Sequence, residues 1–499
     1  MTDRQQDRKS ANGSLDINTI FSLSNYSILV ATLLLYYLVP YPSLINSYTI
    51  LILVALSCQL ELLLFYERRF RNPFIIVLAF FMIFFYFTRI STLYFYDISS
   101  YSGVLDRMKI TSPEDINYSL FYILCANFMI FLGLVGILPN ERRKRNRMPL
   151  LSVDNLGYRV LFLFSILLLV NMVGIFKVDN SFSSIIGEIL TPRSVLILSF
   201  VLLTIYSQPR LTKNLEKNFI VYSMLVFSVI AYIIFQMLNG SRSGMLAAIQ
   251  LMLFASLACG VYRVKKKILA LAAVLVVLSI VLFTAATYMR AINSDQIKID
   301  YAKTLGEGYK YTSEINFDAE NSIKLLVPVF DRIGYLDFTV DMLKNADEYR
   351  SVINIPSGLA STVDGITPGF DLFNAPKLAN ALSGVYRYDS ARFLRNHDRG
   401  YQSDQFNVYG EYYVLFQGWI ALPIFGLIAF LFKRVYLNLP SRTFFEQKVW
   451  RTFVLATYAT WLCSFGFDWI IIYTTMGGLS LWLIMFAIKT KFLWRTTST

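Results

Sequence analysis

About twelve apolar stretches, most close to the twenty residues needed to cross hydrocarbon, recur along this 499-residue chain and constrain its fold more than any other feature. They cover approximately residues 20–39, 48–66, 74–96, 118–138, 157–176, 194–206, 219–238, 243–262, 268–288, 412–432, 449–467 and 470–488, the sixth being the shortest. A chain that is 56% hydrophobic and 16% aromatic carries more apolar surface than one soluble core of ordinary size can bury. Lipid is then the natural solvent. The expected fold class is an all-α polytopic membrane protein with about 12 transmembrane helices and one large extracytoplasmic loop. The expected division is a membrane bundle over residues 1–288, the polar loop over 289–411 and a last group of membrane helices over 412–499. Residues 1–18 are polar and of mixed charge, without the pattern of a cleaved leader, and read as a short cytoplasmic tail.

The formal net charge of +13 belongs to this topology. Lys and Arg gather in short runs beside apolar stretches, which is the pattern that orients membrane helices and not that of a nucleic-acid stripe. Taking alternate connections, the runs within 1–18, 67–73, 139–159, 208–218, 263–267, 433–451 and the C-terminal tail hold 27 of the 46 basic residues. The long loop holds 13, against 17 acidic residues. Both termini are therefore expected in the cytoplasm and residues 289–411 outside it. The four cysteines, Cys58, Cys125, Cys259 and Cys463, all lie in apolar stretches, which leaves neither a disulfide framework nor a cysteine metal site in the loop.

Within the loop, Val329, Ile333, Leu336, Val340 and Leu343 recur at helical spacing over 328–345, with Arg332, Asp337 and Asp341 on other faces. An amphipathic helix is expected there, entered through Pro328. The Gly, Pro, Ser and Asn content rises over 354–386, which reads as an irregular flap. A denser charged stretch follows, with Arg387, Arg392, Arg395 and Arg399 among Asp389, Asp398, Asp404 and Glu411, and with His397, the single histidine of the chain.

Arginines at the outer boundary suit an anionic substrate, because a planar guanidinium grips phosphate through two parallel hydrogen bonds where lysine offers a point charge. Arg242, in the Gly-Ser-Arg-Ser-Gly turn at 240–244, and Arg290, at the end of the ninth stretch, would either meet phosphate or snorkel to the interface. Arg332 either clamps a diphosphate or makes a local ion pair. Arg89, about two turns inside the third stretch, would serve a carboxylate or helix carbonyl, or touch substrate. His397, Asp404 and Glu411 are candidate proton acceptors. One histidine and no loop cysteine make a poor ligand set, so no metal or cofactor is expected. No phosphate loop, GxSxG elbow, HExxH or dinucleotide fingerprint occurs, which removes the usual signatures of nucleotide hydrolysis and zinc proteolysis.

At these positions the chain resembles the O-antigen polymerase, or oligosaccharide repeat unit polymerase, family of bacterial envelopes. The resemblance rests on the overall topology, the turn at 240–244, the Asp-Arg-Ile-Gly segment at 331–334, Tyr-Gly-Glu-Tyr-Tyr at 409–413 with Gly418 after it, and an Arg–Gly spacing of eleven between Arg399 and Gly410. Only one copy of that spacing appears, a departure from a two-loop arrangement. The resemblance implies a GT-C-like glycosyltransferase in the bacterial cytoplasmic membrane. It would join undecaprenyl diphosphate-linked oligosaccharides, with Arg242, Arg290, Arg332, Arg395 and Arg399 on the diphosphate and His397, Asp404 or Glu411 at the acceptor hydroxyl. Membrane lipid, the lipid-linked substrates, a chain-length regulator and a flippase are the implied partners. An O-antigen ligase shares this topology and chemistry, and a polysaccharide flippase or other transporter shares the helix number.

Overall fold

A computed structural model describes residues 14–38, 44–90, 93, 112–135, 156–175, 192–207, 215–238, 242–265, 335–366, seven positions within 372–385, 407–439, 441, 443–463 and 467–489. A helix lies at eleven of the twelve apolar stretches, and the stretch at 268–288 falls outside the described residues. Among the described residues, six helical segments meet the length and apolarity needed to cross a membrane: Ile17–Leu38, Ser47–Phe70, Pro73–Ile90, Pro113–Val135, Gly418–Leu437 and Ile470–Lys489. Four further apolar helices accompany them, over Leu156–Ile175, Pro192–Tyr206, Leu215–Leu238 and Arg242–Ala258. The protein is a helical chain built for lipid.

In chain order, a short strand β1 (Ser14–Asp16) leads into α1 (Ile17–Leu38), α2 (Ser47–Phe70), α3 (Pro73–Met82), α4 (Pro113–Val135), α5 (Leu156–Ile175), α6 (Pro192–Tyr206), α7 (Leu215–Leu238) and α8 (Arg242–Ala258). Strand β2 (Arg263–Lys265) closes this group. The local reasons are visible at α2, where Asn46 and Thr49 cap each other's backbone N–H groups, satisfying two donors that a helix start leaves over. Arg71 ends α2 in a left-handed conformation, and Asn72 with Pro73 starts α3 at once, so the chain reverses in two residues. The segment running from α3 through a π-helical turn at Ile83–Phe87 is 83% buried over its spanning window, against 11% for α1, and forms the centre of the bundle.

One end of the bundle is tied together by charge. β1 pairs antiparallel with β2, setting Asp16 opposite Arg263, and Arg71 binds Asp16 at 3.1 Å while stacking over Tyr262. Lys489 meets Glu446 at 2.9 Å, and Arg159 donates to the carbonyl of Ile488. At the other end, Thr49 and Asn46 hydrogen-bond Asn117, and Lys344 pairs with Asp115.

The polar loop contributes α9 (Tyr335–Lys344), α10 (Ala346–Val352), α11 (Ile355–Ile366) and α12 (Val408–Leu415). The chain ends with α13 (Ala421–Leu437), α14 (Phe444–Cys463) and α15 (Phe467–Lys489). Leu336, Val340 and Leu343 are buried as their spacing predicts, but Asp337 and Asp341 are buried with them, so the helix is not polar on its far side. Residues 328–334 lie outside the described part. The flap expected over 354–386 is instead helical at Ile355–Ile366. Asn354 and Ser357 cap each other reciprocally, Pro356 occupies the first turn where its missing N–H costs nothing, and Gly365 serves close packing. The single helix expected over 412–432 is also broken: α12 stops at Leu415, Gln417 and Gly418 take positive φ (56° and 80°), and a short 3-10 turn starts α13. Only a glycine meets that conformation without strain at 418.

α4 and α13 approach backbone to backbone. A Cβ on Gly133 would stand 2.1 Å from the carbonyl oxygen of Gly426, and one on Gly426 would stand 3.0 Å from that of Met129. Small residues permit such contact between helices in lipid, where packing replaces the hydrophobic drive.

Candidate functional site

The polar loop is fastened to one end of the bundle by buried polar contacts. Arg89, 1% exposed and just past the π-helical turn, donates from Nε to Asp337 Oδ1 at 3.1 Å and from Nη2 to Asp337 Oδ2. This forked pair joins the central helical segment to α9. The inserted π residue rotates the remainder of that segment by about 100° about its axis, which bears directly on where Arg89 points. One turn along α9, Asp341 accepts from Asn345 and from the hydroxyl of Tyr349, binding α9 to α10.

Asn407 then sets α12 in place. Its side-chain oxygen accepts from the N–H of Gly410 and its amide donates to Thr339 on α9. Gly410 is needed there, since a Cβ would lie 2.8 Å from Met342 Sδ. The segment Tyr-Gly-Glu-Tyr-Tyr at 409–413 is a wedge of rings. Tyr409 donates to Asn127 on α4 and packs against Tyr86 and Phe425. Tyr412 accepts from Trp461 Nε1 at 2.9 Å, and Tyr413 meets Tyr118, which in turn accepts from Trp419. Burial pushes the Tyr409 and Tyr412 hydroxyls far up, so they act as hydrogen-bonding groups and not as acids. Tyr413 is pushed up to about 12, first by burial and then by its hydrogen bond to Tyr118. Arg350 reaches the carbonyls of Tyr413 and Val414 and pairs with exposed Asp347 at 2.7 Å.

Of the residues singled out from the sequence, Glu411 is fully buried in the first turn of α12, where a carboxylate is favoured by the helix dipole. It does not meet solvent in this arrangement. Arg242 is the first residue of α8, and the turn expected before it lies outside the described residues. His397, Asp404, Arg290, Arg332, Arg395 and Arg399 lie outside the described residues. Arg89 takes the carboxylate-partner role. Among the described residues, no three His, Cys, Asp or Glu side chains gather as a metal-ligand set.

Two residues escaped the sequence reading. Asp468, buried at the start of α15, accepts from Ser361 Oγ at 2.6 Å and from the N–H of Leu378 at 3.2 Å. Its signal was a lone acid in the gap between the last two apolar stretches. Arg193, at the start of α6, donates to Ala456 O and Thr460 Oγ1 at 2.6 and 2.9 Å and lies 4.0 Å over the Tyr473 ring. It has no carboxylate partner among the described residues. Away from this end, a groove of about 500 Å³ opens between α1 and α2, with Glu61 held by Ser22 and Asn25. Comparison of the chain with protein families, characterised proteins and solved structures found no match.

Proposed function

We propose that the protein is a membrane-embedded glycosyltransferase that lengthens a surface polysaccharide from undecaprenyl diphosphate-linked oligosaccharides, acting at the outer face of the bacterial cytoplasmic membrane with both termini in the cytoplasm. The observation that carries the reading is the Arg89–Asp337 clamp. It holds a charged polar segment against one end of an apolar bundle, the level at which the headgroup of a lipid-borne substrate resides. An unanchored loop would offer no such platform.

In this reading, a hydroxyl of the incoming repeat unit attacks the anomeric carbon of the growing chain. The bond to the diphosphate breaks, the hydroxyl proton passes to a base, and undecaprenyl diphosphate leaves. Fixed guanidinium charges aimed at the leaving group stabilise the negative charge it gains. Arg242, Arg290, Arg332, Arg395 and Arg399 are assigned to it, and Arg193 joins them on its lack of an acidic partner among the described residues. His397 and Asp404 are assigned to the proton. Glu411, buried in α12, takes that role only if α12 shifts, and otherwise positions the loop end.

The test is polymer formation by purified protein from purified lipid-linked repeat units. His397→Ala at normal membrane abundance should lower the rate at least about tenfold, a modest part of what a positioned base supplies. Wild-type protein that makes no polymer but transfers the glycan to lipid A core would replace polymerase with ligase. Transport of the substrate across the membrane without any bond formation would favour the flippase reading.

A further inference from the structure

α11 lies along α15 in a way that fixes its depth. Ser361 Oγ bonds Asp468, and a Cβ on Gly365 would stand 2.1 Å from Ile472 Cδ1. Both contacts advance by four residues on both helices, so the two helices run parallel and Gly365 lies about 6 Å further along than Ser361. Past Asp468, α15 runs apolar from Trp469 through Ile472. The C-terminal turn of α11 is therefore level with the first residues of that apolar run. Leu378 returns to Asp468 through its N–H, so the chain goes down and comes back.

The outward side of this excursion is apolar. Ile355, Leu359 and Val363, spaced by four, are 44, 49 and 37% exposed, and Leu372 and Phe373 beyond them are 63 and 61% exposed. The face of α15 that α11 touches through Asp468 and Ile472 goes on, at helical spacing, to Leu479, Trp482 and Phe486, which are exposed. α11 holds no basic residue and one acid. That acid, Asp364, accepts from the N–H groups of Phe373 and Ala375 at 2.9 Å each. Backbone donors at membrane depth need an internal partner, and Asp364 supplies it.

We propose that α11, with Leu372 and Phe373, is an interfacial element seated in the outer leaflet, and that its exposed stripe binds lipid and not a protein partner or a second copy of the chain. Depth register and continuity with the lipid-facing side of α15 select that occupant. An amphipathic helix lying in the interface buries its apolar side about 5–10 Å into the headgroup and acyl boundary. The inference rests on the membrane reading of the chain and not on its enzymatic reading.

The test uses full-length protein in phosphatidylcholine nanodiscs, with the four native cysteines replaced and single cysteines introduced as Leu359→Cys, Val363→Cys and Phe373→Cys. Ser351→Cys on α10 is the water-facing control, and Trp482→Cys on α15 is the lipid-facing control. Each carries an environment-sensitive fluorophore. At 359, 363 and 373, quenching by nitroxide-labelled lipid should exceed quenching by aqueous iodide at least twofold, with the reverse at 351. Iodide quenching at 359 and 363 equal to that at 351 overturns the proposal, as does protection from both quenchers, which would mean a protein cover. If position 482 also fails to sense lipid, the membrane reading itself has failed. Should the cysteine-free chain not fold, a photoactivatable phospholipid in nanodiscs of wild-type protein decides. Crosslinks within 355–373 support the assignment, and crosslinks on the exposed face of α15 without any there overturn it.

Discussion

Removing either partner of the Arg89–Asp337 pair should destabilise the protein far more than removing both. The side chains are 1 and 7% exposed, so solvent screening gives little relief when one charge is left alone. Breaking such a buried pair costs about 3–5 kcal/mol, whereas replacing both members by apolar residues of similar volume is often close to neutral. Arg89→Met and Asp337→Leu, each made alone, should each lower stability by roughly that amount. The double variant should recover most of it, giving a coupling of at least about 5 kcal/mol, which is more than a thousandfold in the unfolding equilibrium. Arg89 has further contacts, so the double variant is expected to remain somewhat below wild type. The measurement is denaturant-induced unfolding of the four proteins in bicelles, read by tryptophan fluorescence, with proteolysis at α10 as a local probe of loop docking. Small, additive losses in the two single variants would show that the pair does not hold the loop and would remove the clamp from the functional argument.

The close approach of α4 and α13 predicts that Gly133→Ala, whose Cβ would lie 2.1 Å from a backbone carbonyl, sharply lowers the yield of monodisperse protein in detergent; an unchanged elution profile would refute that packing. Sidedness is checked with a membrane-impermeant thiol reagent: Ser351→Cys should label in intact spheroplasts and Asn146→Cys only after lysis, with the opposite pattern refuting the orientation, while Ser361→Cys should label slowly because Ser361 is buried. Hydrogen bonds from the N–H groups of Ala375 and Phe373 hold the Asp364 carboxyl below the usual carboxylate range, so its contribution to loop order is fully present above the ordinary aspartate value of about 3.9 and fades as pH falls through the lower folded value. Protease resistance at the C-terminal end of α11 should follow that acid transition in wild type and lose it in Asp364→Asn; identical pH profiles would refute the role.

The helices were legible because apolar length and capping are local. Asn46 with Thr49, and Asn72 before Pro73, announce helix starts within four residues of sequence. Errors arose where composition stood in for geometry. Gly358 and Gly365 read as loop residues, yet α11 carries both, and Gly365 brings the helix against Ile472. The apolar run at 412–432 gave no warning of the break at Gln417 and Gly418, because hydropathy averages over a window and the break depends on two backbone conformations.

The candidate site was harder still, for a reason that applies to charges at the end of any membrane bundle. Periodicity assigns a charged residue to the face opposite the apolar stripe, which holds when water covers that face. Asp337 and Asp341 are buried because other polar groups cover them: Arg89 reaches the first from 248 residues away, and Tyr349 and Asn345 cover the second. Sequence spacing cannot supply a partner at that distance. It can mark the unusual half of such a pair, an arginine two turns inside an apolar stretch, whose cost in lipid requires a carboxylate or an anion nearby. Arg193 poses the same question at the start of α6. Its hydrogen bonds to Ala456 and Thr460 and its stacking on Tyr473 orient the guanidinium without neutralising it among the described residues. For Arg89 the answer is Asp337. For Arg193 no described carboxylate gives one, and the proposed role at the diphosphate rests on that difference from Arg89.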